Sequence, residues 1–349
     1  MDRYIGLDAH SASCTVAVVG PSGRRLQHQV LETNGRSLVN FIKTVPGRKH
    51  LCFEEGNHSA WLHEILEPHV EEIAVLLQRS SKGPKDDRID AFDMAEKMRI
   101  GALERRVYKS VGEFAVLAEL SKGYRVLKQD SVRAQNRIKG LFRSRGISTS
   151  GKKIYSPATR DAWQRKLPVK SRLRAETLFM EFDVLHEVRK KAKREMLREA
   201  RKHRIFHVLK TGPGMGDLRV AQMLPIVVTP YRFANKRSFW AYVGLAVVMR
   251  SSSDWLRTPD GRWVRAKTMQ TRGLNRNYNH TLKDIFKGAA TTVIQLRGDD
   301  PVYCHYCSLL DAGTKPNLAK LTIARQIASI TLSMWRSGEE YDPKKLKKK

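Results

Sequence analysis

The apolar positions change their period several times along the chain, and each change marks an element. The runs "YIGLD" (4–8), "CTVAVVG" (14–20) and "RLQHQVL" (25–31) are short and separated by turn chemistry such as "PSGR" (21–24), which predicts three strands in a meander. From residue 35 the spacing becomes helical in "GRSLVNFIKTV". It then alternates between strand "LCFEE" (51–55), helix "AWLHEILEPH" (60–69), strand "EIAVLL" (72–77) and helix "KDDRIDAFDMAEKM" (85–98). A meander followed by alternating helix and strand predicts a mixed sheet flanked by helices, an α/β domain over residues 1–108.

The next stretch, 109–206, reads as long helices. Phe114, Leu117, Leu120, Tyr124 and Leu127 recur at three and four, and Leu178, Leu185, Val188, Ala192 and Met196 stand near heptad spacing. A polar connector, "STSGKKIYSPATR" (148–160), separates the two, so the pattern predicts an antiparallel coiled coil. Residues 207–340 read as a mostly helical C-terminal domain. It opens on "TGPGMGDLRVAQMLPIV" (211–227), a glycine turn running into a helix start, where backbone N–H groups are able to hold a phosphate. The segment "RSSSDW" (250–255) precedes a turn, "TPDGR" (258–262). Two further segments, "TRGLNRNYNHTLKDIFKGAA" (271–290) and "LAKLTIARQIASITLSMW" (318–335), read as helices. Residues 341–349 form a basic tail with five lysines in its last six positions.

Charge adds a partner to this outline. The 349 residues are 41% hydrophobic, enough for two or three folded domains, yet 65 Lys and Arg face only 35 Asp and Glu, a formal net charge of +30. Such an excess points to a polyanion, and nucleic acid is the commonest one. The exposed faces of the predicted coiled coil carry much of it, in Lys122, Arg125, Lys128, Arg133, Arg137, Lys139, Arg143 and Arg145. No apolar run approaches the ~18 residues needed to span a bilayer, and "MDRYIGLDAH" has no signal-peptide pattern. An intracellular, cytoplasmic protein with reduced cysteines is expected. Cys304 and Cys307, in "YCHYC", lack further ligands at zinc spacing and read as residues of a helix in a core.

Against this basic background the acids stand out. Asp86, Asp87, Asp90 and Asp93 crowd into eight positions, Asp8 ends an apolar strand, and Glu54 and Glu55 end another. Strand ends and helix starts are where a sheet-based site collects side chains, and carboxylates suit a hard cation such as Mg²⁺. Acids in the first turn of a helix also favour the macrodipole by ~0.3–1 kcal/mol each, which accounts for Asp86 and Asp87 without any ligand. It does not account for Asp8 or the glutamates. Spacing alone leaves Asp86 and Asp87 as equal partners for Asp90.

The segments "YIGLDAH", "CFEEGNHSAWL", "KDDRIDAFDMAE", "TGPGMG", "YVGLAVVMRSSS" and "TRGLNRNYNHTL" fall in an order that resembles the insertion sequence 110 family of transposases. These are bridge-RNA-guided recombinases related to the Piv DNA invertases. The resemblance runs over nearly the whole chain. It implies an RNase H-like (RuvC-like) N-terminal domain, a coiled coil, and a C-terminal transposase domain with a nucleophilic serine. It carries the four metal-binding acids onto Asp8, Glu54, Asp87 and Asp90. Glu55 competes with Glu54 because "FEEG" departs from the usual pattern. It carries the nucleophile onto Ser252, with Ser251 and Ser253 adjacent, although the usual Ser-Gly is absent. By resemblance, DNA is the substrate, a structured guide (bridge) RNA chooses the sites, Mg²⁺ (or Mn²⁺) is the cofactor, and the protein works as a homodimer or homotetramer near the bacterial nucleoid. Two other readings compete: a RuvC-like metal-dependent nuclease such as a junction resolvase, without a serine intermediate, and a non-catalytic RNA-binding protein.

Overall fold

The computed structural model describes residues 1–77, 86–103, 112–250, 255–265 and 271–346. The chain divides into two compact units, Met1–Ser110 and Val111–Lys349.

In the first unit the order is β1 (Asp2–Ala9), β2 (Ser13–Val19), β3 (Arg25–Glu32), α1 (Gly35–Thr44), β4 (Arg48–Glu54), α2 (Ser59–Leu66), β5 (Glu72–Leu76) and α3 (Asp87–Arg99). The strands form one sheet in the order β3-β2-β1-β4-β5. β1, β2 and β3 run antiparallel, whereas β4 and β5 run parallel to β1. The expected mixed α/β sheet is therefore present. Strand alternation divides its side chains between two faces. Ile5, Leu7, Val16, Val18, Leu51 and Phe53 point to the face covered by Leu38, Phe41 and Ile42 of α1 and Leu62 and Leu66 of α2. Ala17, Val19, Cys52 and Ala74 point to the other, where α3 lays down Ala91, Phe92, Met94, Ala95 and Met98.

One glycine sets how closely α3 lies on the sheet. A Cβ built on Gly6, in the middle of β1, would stand 2.0 Å from the Ala91 carbonyl oxygen and 2.8 Å from the Ala95 nitrogen. A glycine inside a strand weakens it, and here the return is backbone-to-backbone contact between helix and sheet.

The second unit holds α4 (Ala115–Arg143), α5 (Pro157–Arg165), α6 (Val169–Ala200), α7 (Arg204–Leu209), α8 (Asp217–Val227) and α9 (Lys236–Tyr242). The short strands β6 (Val247–Arg250), β7 (Trp255–Arg257), β8 (Trp263–Arg265) and β9 (Thr271–Leu274) follow, and then α10 (His280–Leu296), α11 (Pro301–Asp311) and α12 (Pro316–Ser337). The mostly helical reading holds, with two corrections. Residues 271–274 are a strand, paired antiparallel with β6, and the helix starts only at His280, capped by the Asn279 side chain accepting from the Leu282 N–H at 3.1 Å. The apolar residues of "LNRNYNH" are too sparse for a helical stripe to compete with that pairing. The polar connector also hides α5. This helix docks through Trp163, edge-on to Phe142, and through Arg160, which donates to both Asp183 carboxylate oxygens at 2.6 and 2.8 Å.

The long helices α4 and α6 pair antiparallel. Ala134, Ile138, Leu141 and Phe142 at the end of α4 pack with Ala175, Phe179 and Phe182 at the start of α6. Leu117 and Tyr124 at the other end of α4 share a core with Met196 and Ala200. The expected seam on α6 holds in part. Met196 is buried and Leu178, Leu185 and Ala192 pack against the cores, while Val188 is 45% exposed. Ala175, Phe179 and Phe182, which the heptad reading did not name, complete the buried stripe.

Elsewhere α10 and α12 form the centre of a large core, with Phe286, Ala289 and Ala290 meeting Ile323, Ile327 and Ala328. The glycine turn before α8 serves this core. Gly214 has φ +68°, and a Cβ there would stand 2.4 Å from the Ala289 carbonyl oxygen, so only glycine lets the turn touch α10. Arg219 ties the same corner by donating to the carbonyls of Gly214 at 2.6 Å and Gly288 at 3.0 Å. Cys304 and Cys307 do lie on one helix, α11, but at its surface: Cys304 is exposed and Cys307 half-buried. Their placement in a core is thus corrected. α11 buries Val302 instead.

Candidate metal centre

The site builds up from strand parity. On β1, Gly6 and Asp8 share the face that receives α3, opposite Ile5 and Leu7. On β4, Glu54 falls on the same side as Cys52, whose thiol donates to the Met94 carbonyl of α3 at 3.1 Å. The β1–β4 register sets Leu7 beside Phe53, so Asp8 and Glu54 follow as the next positions on neighbouring parallel strands. The α3 start supplies the rest. Asp86 is its N-cap, accepting from the Arg88 N–H at 2.9 Å, which spends that carboxylate on the helix. Asp87 and Asp90 are in the first turn and free of that duty. The choice between Asp86 and Asp87, open by spacing, has a physical basis here.

Asp8 and Asp87 come together around a third residue. His10, just past β1, places Nε2 3.4 Å from Asp8 Oδ2 and 3.2 Å from Asp87 Oδ2. Ligand atoms of Asp8, His10 and Asp87 all lie within 4.8 Å of one another, and among the described residues this is the group of that kind. It includes neither Glu54 nor Asp90. Asp90 is still close enough to act on Asp8 electrostatically: burial pushes the Asp8 carboxyl above its ordinary pKa, the charges of Asp87 and Asp90 add to that, and His10 opposes them. A half-buried carboxylate facing like charges is the arrangement that a cation relieves. The donors are mostly oxygens, which suits Mg²⁺, and the imidazole adds a nitrogen that Mn²⁺ accepts more readily. Glu55, which competed with Glu54, has an exposed side chain beyond the end of β4, and its N–H donates to the Leu76 carbonyl at 2.7 Å.

His10 was not among the residues singled out from the sequence. Its signal was modest: a histidine two positions after the last sheet-facing acid, in the tight return to β2, where the His10 N–H donates to the Ser13 carbonyl at 2.9 Å. The expected nucleophile, Ser252, and its neighbours Ser251 and Ser253 lie outside the described residues. The described strand β6 ends immediately before them at Arg250.

The charge is divided unevenly between the units. Residues 1–110 carry 16 Lys and Arg against 15 Asp and Glu, a net +1, which leaves +29 on residues 111–349. On α4, Lys122, Arg125, Lys128, Arg133, Arg137 and Arg143 are all exposed. Some have acidic neighbours, Lys122 with Glu119 at 2.7 Å and Arg133 with Asp130 at 2.9 Å, but the surplus remains large. Among the described residues, no helix is long and apolar enough to cross a membrane.

Comparison with known proteins finds a similarity within the second unit. Residues 206–301, from α7 to the start of α11, match the model of the Transposase IS116/IS110/IS902 family. The matched segment contains the glycine turn, the β6–β9 pair and the serines between them. No curated protein matches the chain. Over residues 206–301, and over that segment alone, the chain is similar to the IS116/IS110/IS902 family of transposases.

Proposed function

We propose that this protein is a transposase, which cuts and rejoins DNA strands with two sets of groups: the acids Asp8, Glu54, Asp87 and Asp90, and a serine nucleophile, Ser252. The convergence of Asp8 and Asp87 on His10 carries the first part of this reading, because it gathers two carboxylates and an imidazole within 4.8 Å of one another where β1 ends. The family match over 206–301 supports the second, since the serines fall inside it.

In this account the four acids, with His10, would hold Mg²⁺ or Mn²⁺. Such an ion would supply neutralisation of the negative charge that develops in phosphodiester cleavage. The chain's own groups do the rest. The Ser252 hydroxyl attacks phosphorus, a P–O bond to serine forms, and the sugar oxygen of the cut strand leaves with the bonding pair and gains a proton. A sugar hydroxyl from the other strand then attacks the phosphoserine and returns the serine to its free state, so no outside energy source is needed. The +29 of residues 111–349 holds phosphate backbones against the protein. Such contacts bind without reading sequence, which fits a reaction whose sites are chosen by base pairing to a bridge RNA. An RNase H-like class for the first unit agrees with its strand order and with acids at the strand ends. The working form in this reading is a homodimer or homotetramer.

Ser252→Ala decides between this reading and a nuclease in which activated water attacks. Strand exchange and the covalent protein–DNA adduct should both vanish, and mass spectrometry of trapped wild-type complexes should find the nucleotide on residues 251–253. Unchanged strand cutting by Ser252→Ala, with no adduct in the wild type, would establish the nuclease instead.

A further inference from the structure

The outer face of α6 is apolar and uncovered. Val169 is 78% exposed, Leu173 74%, Met180 69%, Val184 64% and Val188 45%. At 100° per residue these five, with Thr177, fall within about a quarter of the helix circumference, opposite the seam formed by Ala175, Phe179 and Phe182. Met180 and Val184 also form one wall of an open groove, with Asp130 and Arg137 of α4 opposite. A stripe of this length on a helix that already has its partner is expected to meet a second surface.

We infer that the stripe is a self-association face, on which α6 of a second copy of this chain lies antiparallel. Two observations select that occupant. The first is the order of the apolar positions, which reads the same from either end: an antiparallel pair centred between residues 178 and 179 sets Val169 against the partner's Val188, Leu173 against the partner's Val184, and Thr177 against the partner's Met180. A two-fold interface requires that self-complementarity. The second is charge. Residues 169–188 hold three basic and four acidic side chains, a net −1 within a unit of net +29, so two such segments approach without repulsion and offer little to a phosphate backbone. The signs are sorted toward the ends, with Lys170, Arg172 and Arg174 at one and Glu181, Asp183 and Glu187 at the other, while Glu176 lies near the centre and Glu181 and Asp183 also pair with Arg137 and Arg160 of the same chain. Antiparallel pairing sets each basic end over the partner's acidic end. Parallel pairing sets like over like.

This inference rests on the oligomeric part of the proposed function, not on its chemistry, and its test reads stoichiometry alone. In sedimentation equilibrium the full chain should be a dimer or a tetramer. Leu173→Glu with Val184→Glu should weaken self-association by on the order of 100-fold, with an unchanged helical circular dichroism spectrum. A second experiment does not depend on those variants folding. In chains also carrying Cys304→Ser and Cys307→Ser, oxidation of a mixture of Val169→Cys and Val188→Cys should link one to the other. Either alone should link poorly, since antiparallel pairing leaves its two copies ~28 Å apart. A dimer that survives both glutamates, or self-linking by either cysteine variant alone, would overturn this face while leaving the oligomer intact. A wild-type chain that stays monomeric would overturn both.

Discussion

Asp87→Asn and Asp8→Asn should each reduce DNA strand cleavage by on the order of 10³-fold, the scale on which one preorganised electrostatic group contributes to a charged transition state. Their stability should move the other way. Asp8 is partly buried, its carboxyl is pushed up by burial and by Asp87 and Asp90, and so its ionised form is unfavourable in the fold. For an acid whose pKa is higher folded than unfolded, the folded state binds more protons between the two values, and stability falls as pH rises from the ordinary carboxylate range through the folded pKa. Removing the charge removes the penalty. Without divalent ions, Asp8→Asn should therefore unfold at the same temperature as wild type or higher. A purely structural acid gives the opposite pairing, with stability lost and activity lost only through unfolding. Cleavage rates and melting curves on the same samples separate the two, and an Asp8→Asn protein that cleaves normally removes Asp8 from the chemistry.

Gly6→Ala should be the most damaging single change in the first unit. The added methyl has to displace the α3 backbone, which stands 2.0 Å from its position at the Ala91 carbonyl oxygen, and neither strand nor helix has a flexible side chain to move instead. Overpacking of this kind costs about 3 kcal/mol. It also carries Asp87 and Asp90 away from Asp8, because all of α3 rides on that contact. Gly20→Ala is the matched control: its Cβ would meet the Leu26 side chain at 3.5 Å, an ordinary contact. Loss of several degrees in melting temperature and loss of cleavage together in Gly6→Ala, with neither in Gly20→Ala, is the expected result. A Gly6→Ala protein as stable as the control would show that α3 sits farther from β1 than described.

These two residues also show what the sequence made legible. Short apolar runs bounded by turn residues are a local property, so the strands, and the position of Asp8 and Glu54 at strand ends, could be read directly. The acids at 87 and 90 were visible as an anomaly of charge. The reason for Gly6 was not visible, because a close approach depends on α3, some eighty-five residues later. His10 was missed for a related reason. An exposed histidine after a strand is common, and only the fold of β1 toward α3 brings it to Asp87. The α6 seam was legible in part: Met196 is buried and Leu178, Leu185 and Ala192 pack against the cores as the spacing suggested, but Val188 faces outward, and the burial of Phe179 and Phe182 depends on α4. The C-terminal unit was legible as helices, but the glycine turn's contact with Ala289 required α10 to be in place.

Mn²⁺ bound to the full chain, located by its anomalous scattering in a crystal, tests the central claim most directly. The account expects an ion coordinated by Asp8 and Asp87, with His10 adjacent, and its loss in Asp8→Asn. An ion bound elsewhere, or no ion at this position in a protein that cleaves DNA under the same conditions, would contradict it.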